Sequence, residues 1–145
     1  MPSRTARTAW TGSLMEGSGQ VEMTSSHVGT YDVSFPKRAG EDADGTTSPE
    51  ELIAAAHSSC YAMSLAAGIA KAGGTPHALD VTAVVTVGRD ESGLRISTSA
   101  LTVRAEVDGL DADEFVKVAE EAKAGCPVSK ALTGLEITLD AALES

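Results

Sequence analysis

The most extended pattern in the chain runs from residue 46 to residue 73, where a single helix is predicted. Ser48 precedes Pro49, and Glu51 follows Ser48 by three residues, which is typical of a capped helix start with proline in the first turn. An alanine-rich run continues to the end of the segment. No residue from 52 to 70 carries a permanent charge, so a helix about 28 Å long would lack a solvent-facing stripe. Such a helix must be buried.

This uncharged segment is long enough to cross a membrane, but its composition favours burial in protein. It is mostly alanine, with serines, His57 and Gly68, and no aromatic belt or basic cluster flanks it. We therefore expect a core helix. Small residues at three- and four-residue spacing favour close packing, with a second copy of the chain as one candidate neighbour. These residues are Ala55, Ser59, Ala62, Ala66 and Ala70.

Three short antiparallel strands are predicted before this helix. Residues 5–35 alternate apolar and polar positions between glycines, with turn signals at 16–19 and 27–29. Residues 36–47 are polar and rich in Gly and Asp, which indicates a loop that leads into the helix.

After the helix, apolar residues recur at every second position over 79–87 and 94–107, which predicts a hairpin with its turn at 88–93. Asp111 and Glu114 then have the spacing of a capping box. They begin a second, half-exposed helix that ends at Gly125. Its predicted buried face consists of Phe115, Val118, Ala119 and Ala122.

A short helical turn from Pro127 to about Thr133 and a last strand over 135–141 complete the prediction. The order βββ-α-ββ-αα-β indicates an α+β fold in which an antiparallel sheet covers a buried helix. The length of 145 residues indicates one domain, 1–145, with room for a core.

Composition and charge narrow the possible partners. The chain is 42% hydrophobic and 22% charged, and its formal net charge of −10 disfavours nucleic acid or an anionic membrane surface as a partner. Lys37 and Arg38 are the only adjacent basic pair. Residues 1–13 contain no apolar stretch of the kind found in secretion signals, so we expect a cytosolic protein whose two cysteines meet a reducing environment.

The two cysteines occupy different predicted environments. Cys60 lies inside the long helix, whereas Cys126 lies at a helix start, where unpaired N–H groups and the helix dipole favour a thiolate. A lone buried helical cysteine is most often an inert small hydrophobe. His57 and Cys60 have no second close pair of ligands, so no metal site is expected, and the absence of a C-x-x-C pair disfavours disulfide exchange.

Another possibility is that the two thiols form a peroxide-reducing pair. One thiolate attacks the O–O bond and becomes a sulfenic acid. The second thiol then condenses with this sulfenic acid to form a disulfide. A nearby cation is needed to hold the thiolate and to stabilise the leaving alkoxide. Arg38 is the best candidate, and Lys37 is second.

Three segments carry a resemblance to a known family. They are TSPEELIAAAHSSCYAM (47–63), AKAGCPVSKALTG (122–134) and ITLDAAL (137–143). They resemble the OsmC/Ohr family of hydroperoxide reductases over nearly the whole chain, and the AAHSSC segment is more similar to the OsmC branch. The resemblance implies a cytosolic thiol peroxidase without metal or bound cofactor. It also implies an intertwined homodimer, with antiparallel sheets wrapped around long central helices and sites at the interface.

Carried over by position, the resemblance makes Cys60 the peroxidatic thiol, Cys126 the resolving thiol, Glu50 the carboxylate and Arg38 the guanidinium. A shift of one residue would give the cationic role to Lys37, which cannot form a bidentate fork. Glu50 precedes Cys60 by roughly 15 Å along a helix. We therefore expect it to orient Arg38 through a salt bridge, either in its own subunit or in the partner's site.

The substrate prediction depends on the apolar residues around Cys60. Leu52, Ile53 and Met63 are expected to line a cleft that suits alkyl or fatty-acyl hydroperoxides better than hydrogen peroxide. His57 is expected to pack elsewhere rather than act as a base. We expect recycling by an external small or lipoyl-type dithiol, and the lipoyl-type dithiol is implied by the resemblance. The alternative is a non-catalytic dimer of the same fold that carries a hydrophobic ligand or senses redox state.

Overall fold

The computed structural model describes residues 1–144, which form two compact units. The first unit spans Met1–Pro49, and the second begins at Glu50. The predicted α+β class and the order of strands and helices are confirmed, with one additional short helix. The assignment of the whole chain to a single domain stays a prediction.

The first unit contains the three predicted amino-terminal strands. These are β1 (Arg7–Thr11), β2 (Ser18–Glu22) and β3 (Thr30–Val33), and they form an antiparallel sheet in the order β1-β2-β3. Val21 on the central strand is the buried apolar residue of this small sheet. Glycine-containing turns separate the strands, as the alternating pattern predicted.

A short helix, α1 (Phe35–Ala39), follows β3 where a loop was predicted. The Ser34 hydroxyl caps it by accepting a hydrogen bond from the backbone N–H of Lys37 at 3.3 Å, and Pro36 lies in its first turn. The loop prediction was wrong for these residues because a helix of five residues is too short to show a helical period. Helix α1 carries both Lys37 and Arg38.

The long helix α2 (Pro49–Lys71) begins at the predicted proline and runs for 23 residues. Gly73 adopts a φ of +91°, and the N–H of Gly74 donates to the carbonyl of Ile69 at 2.9 Å, which closes the carboxyl end of the helix. One face of α2 is buried. That face consists of Glu50, His57, Tyr61, Leu65 and Ile69.

The opposite face of α2 is uncovered in the single chain, although the lack of charge predicted burial all round. Met63 is 72% exposed there. The other exposed residues of this face are Ala55, Ala56, Ser59, Ala67 and Ala70.

By length and composition α2 could cross a membrane, but core helices of soluble proteins pass the same test. The core-helix interpretation is favoured because polar side chains on its buried face have partners in the same chain.

The second unit is built on β4 (Thr75–Asp90), β5 (Gly93–Asp108) and β6 (Glu136–Leu143), in the order β4-β5-β6. Strands β4 and β5 form the predicted hairpin, but its turn is shorter than predicted, since β5 begins three residues after β4 ends. Strand β6 pairs with β5 in parallel, so the prediction of a purely antiparallel sheet was wrong. The helices between β5 and β6 return the chain to the end of the sheet from which β5 started.

Two helices make this return connection, α3 (Ala112–Gly125) and α4 (Pro127–Ala131). The capping box is confirmed: the Glu114 N–H donates to the Asp111 carboxylate at 2.8 Å, and the Asp111 N–H donates to the Glu114 carboxylate at 2.9 Å. The buried face of α3 is the one predicted. Helix α4 ends at Ala131, two residues before the predicted end.

The core of the second unit joins α2 and α3 to the inward face of β5. It is formed by Tyr61, Leu65, Ile69, Leu101, Val103, Ala105, Phe115, Val118, Ala119 and Ala122, together with Cys126. The Tyr61 hydroxyl donates to the carbonyl of Ala119 at 3.0 Å. A Cβ atom at Gly68 would lie 3.1 Å from the side chain of Val118, so the two helices approach closely there. These contacts position α2 relative to the start of α4.

Candidate thiol site

The fold of the second unit brings the two cysteines together. Cys60 lies in the middle of α2 and is half-buried, whereas Cys126 is the N-cap residue of α4 and is fully buried. Cys60 packs against the buried cluster that contains Cys126, each thiol affects the pKa of the other, and both thiols are free.

The surroundings of the pair favour negative charge on Cys126. Burial raises the pKa of Cys60, and the neighbouring Cys126 raises it further, while the backbone N–H of Val128 and the Ser64 hydroxyl oppose this shift. Burial also acts against a Cys126 thiolate. However, the neighbouring polar groups of Ser129 and the thiol of Cys60 lower the pKa of Cys126 below its ordinary value. Within this unit Cys126 is therefore the more readily ionised thiol, although Cys60 is the more accessible sulfur.

His57 lies one turn before Cys60 on α2 but is directed at other residues. Its ring is fully buried, with Nδ1 2.7 Å from the Ser99 hydroxyl and Nε2 2.8 Å from the Ser129 hydroxyl. Burial lowers the pKa of His57 below 6.5, so the ring is neutral at neutral pH. Sequence reasoning missed both serines. Ser129 could have been noticed because it follows Cys126 by three residues, but no local signal connects Ser99 with His57.

The two candidate cations lie on α1 in the first unit. The Lys37 ammonium pairs with the Asp44 carboxylate, which lowers the pKa of Asp44 below its ordinary value. Arg38 is half-buried. Lys37 is already paired with Asp44 in the segment that follows α1, so it is the weaker candidate for a role elsewhere. The proximity of Arg38 to the thiols stays a prediction.

Glu50 lies in the first turn of α2 and is only 8% exposed. A glutamate buried to this extent is rare unless it is paired or hydrogen-bonded, so a purely solvent-facing role at the helix start is disfavoured. Its partnership with Arg38 stays a prediction.

The residues expected to form an apolar cleft remain partly open in the single chain. Met63 is on the uncovered face of α2, and Leu52 and Ile53 are half-buried. Cys60 lies at the border between the buried and the uncovered face of the helix, one turn from exposed Ala56. Any enclosed cleft over Cys60 would therefore require something that covers this face.

The described residues also limit where a metal ion could bind. Within 1–144, no group of three or more His, Cys, Asp and Glu side chains is arranged to hold one. The site as described offers two thiols and a neutral imidazole, which suit redox chemistry of sulfur. The metal-free mechanism stays a prediction.

Known proteins are similar to this chain in sequence and in fold. Residues 40–140 match the family described as OsmC-like protein. The chain is 39% identical over 136 residues to Peroxiredoxin OsmC of Escherichia coli strain K12, with 94% of this chain and 93% of that protein covered. An organic hydroperoxide resistance protein from Elizabethkingia anophelis, whose crystal structure contains thiocyanate, is 27% identical with a TM-score of 0.77, and 99% of each chain is covered. For OhrB of Bacillus subtilis the identity is 25% and the TM-score 0.72, with 94% of this chain and 97% of that chain covered.

The paired thiols and the fold thus define a protein of the hydroperoxide-resistance type. The chain belongs to the OsmC-like protein family, and the resemblance found in its cysteine segments is confirmed.

The buried, neutral His57 predicts how stability depends on pH. On unfolding below pH 6.5 the exposed ring takes up a proton that the buried ring does not hold. The contribution of neutral His57 to the free energy of unfolding should therefore be complete above pH 6.5. Below pH 6.5 the free energy of unfolding should fall by up to about 1.4 kcal/mol per pH unit. Urea denaturation at several pH values measures this slope. In His57→Gln the part of this loss that comes from His57 should disappear. If the free energy of unfolding varied with pH in the same way in both proteins, the assignment of a buried, neutral His57 would be wrong.

Proposed function

We propose that this protein is a thiol peroxidase that reduces organic hydroperoxides to alcohols in defence against oxidative or osmotic stress. The observation that carries the proposal is that half-buried Cys60 packs against the buried cluster that contains Cys126. The names of the related peroxiredoxin and organic hydroperoxide resistance proteins support a hydroperoxide-related peroxidase function in general.

The two cysteines have different roles in the proposed cycle. The Cys60 thiolate attacks one oxygen of the peroxide, the O–O bond breaks, and the alkoxide leaves and takes a proton to give the alcohol. Cys60 is then a sulfenic acid. The Cys126 thiolate attacks its sulfur, the S–S bond forms and the S–O bond breaks, and the released hydroxide takes up the proton that Cys126 had lost. An external small or lipoyl-type dithiol reduces the disulfide by exchange. No resident cofactor or metal is proposed.

The distribution of charge in the pair explains why a cation is needed. Cys60 is accessible but has a raised pKa, whereas Cys126 is buried and more readily ionised. A guanidinium beside Cys60 would draw the negative charge to the sulfur that the peroxide can reach and would stabilise the leaving alkoxide. Arg38 is proposed for this role because a guanidinium forms a bidentate fork, which the ammonium of Lys37 cannot. Buried Glu50 is proposed to orient Arg38.

A homodimer is proposed because α2 leaves an uncharged face uncovered. That face carries small residues and Met63, which is 72% exposed, and a second copy of the helix could pack closely on it. Cys60 lies at the edge of this face. Pairing two copies there would place the thiol sites at the interface and enclose the apolar cleft that favours alkyl hydroperoxides over hydrogen peroxide.

Oxidation with one equivalent of cumene hydroperoxide tests the reaction. We expect a Cys60–Cys126 disulfide in peptide mapping by mass spectrometry, and a dimedone-trapped sulfenic acid on Cys60 in Cys126→Ser, because the second thiol is then missing. Cys60→Ser should lose all turnover with dithiol. If the natural chain consumes no peroxide but binds a fatty acid, the non-catalytic alternative is correct. A disulfide that forms without turnover favours redox sensing.

The roles of the two basic residues can be separated by matched substitutions. Arg38→Gln should lower kcat/KM for cumene hydroperoxide about a hundredfold, since a positioned charge is lost from the transition state. It should also raise the pKa of Cys60, measured by the pH dependence of its alkylation. Lys37→Gln is the matched control and should leave both quantities unchanged. The opposite result would assign the cationic role to Lys37. Glu50→Gln should lower the activity, as Arg38→Gln does.

The proposed dimer is tested by placing a charge on the uncovered face of α2. Ala67→Glu should convert the dimer into a monomer in analytical ultracentrifugation, because two buried carboxylates would face each other without partners. Peroxidase activity should fall with dimer content. Ala124→Glu, at an exposed alanine of α3, is the matched control and should remain dimeric. A natural chain that sediments as a monomer at micromolar concentration would contradict the proposal.

A further inference from the structure

A buried imidazole joins the two helices that carry the cysteines. Nε2 of His57 on α2 lies 2.8 Å from the Ser129 hydroxyl on α4, and Nδ1 of the same ring lies 2.7 Å from the Ser99 hydroxyl on β5. Exposure is 0% for His57 and Ser99 and 6% for Ser129, so water does not replace these hydrogen bonds. The ring therefore links α4 both to α2 and to the sheet.

The hydrogen bond between His57 and Ser129 runs beside the cysteines on both helices. His57 precedes Cys60 by three residues on α2, and Cys126 precedes Ser129 by three residues at the start of α4. Residues three apart in a helix are neighbours on its surface. The hydrogen bond thus lies about one turn from each cysteine, and it connects the same two segments that a disulfide would join.

Helix α4 depends on few contacts for its position. Three of its five residues are exposed, Val128 is half-buried, and Ser129 is buried. The Cys126 carbonyl accepts a hydrogen bond from the N–H of Lys130 at 3.0 Å, so Cys126 moves with the first turn of α4. A helix of this length is not stable by itself in water, because tertiary contacts supply most of the stability of short helices. A change in the attachment of Ser129 should therefore reach Cys126 through the backbone.

A disulfide at this site would be sensitive to the position of α4. Cys60 packs against the buried cluster that contains Cys126. A disulfide requires Cβ atoms about 4 Å apart, and departures from its geometry strain the bond and make it easier to reduce. Holding two reacting groups in place before they react also raises their effective concentration. An attachment that limits the movement of α4 relative to α2 therefore favours the disulfide over the dithiol.

We propose that His57 is a positioning residue that holds α4 through Ser129, so that Cys126 is in place to attack the sulfenic acid of Cys60. This inference rests on the proposed function, which assigns that attack to Cys126. The S–S bond forms, the S–O bond breaks, and the released hydroxide takes up the proton that the Cys126 thiol had lost. His57 exchanges no proton or electron in this step. Ser99 fixes the orientation of the ring, because its hydroxyl is bonded to Nδ1 while Nε2 is directed at α4.

Two substitutions of His57 separate the bond to α4 from the bond to β5. The side-chain amide of asparagine is as many bonds from Cβ as Nδ1 is, and the amide of glutamine is as many bonds from Cβ as Nε2 is. His57→Asn should therefore keep the bond to Ser99 and lose the bond to Ser129, and His57→Gln should do the reverse. Each variant loses the ring and one of its two hydrogen bonds, so a merely structural role of His57 predicts similar effects in both.

The equilibrium with dithiothreitol measures the stability of the disulfide without peroxide. We expect His57→Asn to shift this equilibrium about fivefold toward the dithiol, because one hydrogen bond to α4 is lost, and His57→Gln to stay within about twofold of the natural chain. Ser129→Ala should match His57→Asn, and combining the two should add no further shift. Equal shifts in the Asn and Gln variants would overturn the proposal. Ser129→Ala, which leaves the ring in place, decides the question if His57→Asn does not fold.

Hydrogen exchange in the reduced protein tests the position of α4 where no disulfide is formed. The N–H of Lys130 should exchange about fivefold faster in His57→Asn than in the natural chain and should stay protected in His57→Gln. The N–H of Phe115, at the start of α3, is the control and should be unchanged in both variants. Faster exchange of both amides, or of neither, would contradict the proposal. A natural chain that consumes no peroxide but shows these differences would refute the peroxidase function and leave the positioning of Cys126 by His57 intact.

Discussion

The proximity of Cys60 to Cys126 depends on how α2 packs against α3. Tyr61 follows Cys60 directly and is anchored to the carbonyl of Ala119, while Gly68 lets the two helices approach closely. Helix α3 leads without a loop into Cys126 and α4, so its position fixes the second sulfur as well. The contact between two residues 66 positions apart is therefore a consequence of core packing. Side chains far from the sulfurs determine whether the pair can be oxidised.

Accessibility and ionisation are divided between the two thiols. Cys126 has a lowered pKa but no exposed surface, and Cys60 has exposed surface but a raised pKa. A buried thiol with a lowered pKa suits the proposed role of attacking a sulfenic acid nearby. A half-buried thiol suits first attack only if positive charge is added. The proposed guanidinium and the proposed partner helix both act on the side of Cys60 that its own unit leaves open.

Buried polar groups are costly, and the interior of the second unit contains several. Among the described residues, no buried side-chain nitrogen or oxygen lacks a partner, and the imidazole of His57 meets this condition through two serines. An aliphatic side chain at this position would fill the space with less risk to stability. What the histidine adds is the ability to donate or to accept at the same nitrogen.

The sequence by itself determined the features that depend on local interactions. Caps, periodicity and residue type within a few turns of chain predict the start and end of α2, the capping box and buried face of α3, and the β4–β5 hairpin. Residue type alone singles out the two cysteines as candidates for the site. Only the tertiary structure decided the parallel pairing of β6, the uncovered face of α2 and the partners of His57. These features depend on contacts between distant segments, such as Ser99 with His57, whose energies are comparable with local preferences but leave no periodic trace along the chain. The unequal ionisation of the thiols belongs to the same group, because burial and hydrogen bonds that set a pKa exist only after the helices have packed.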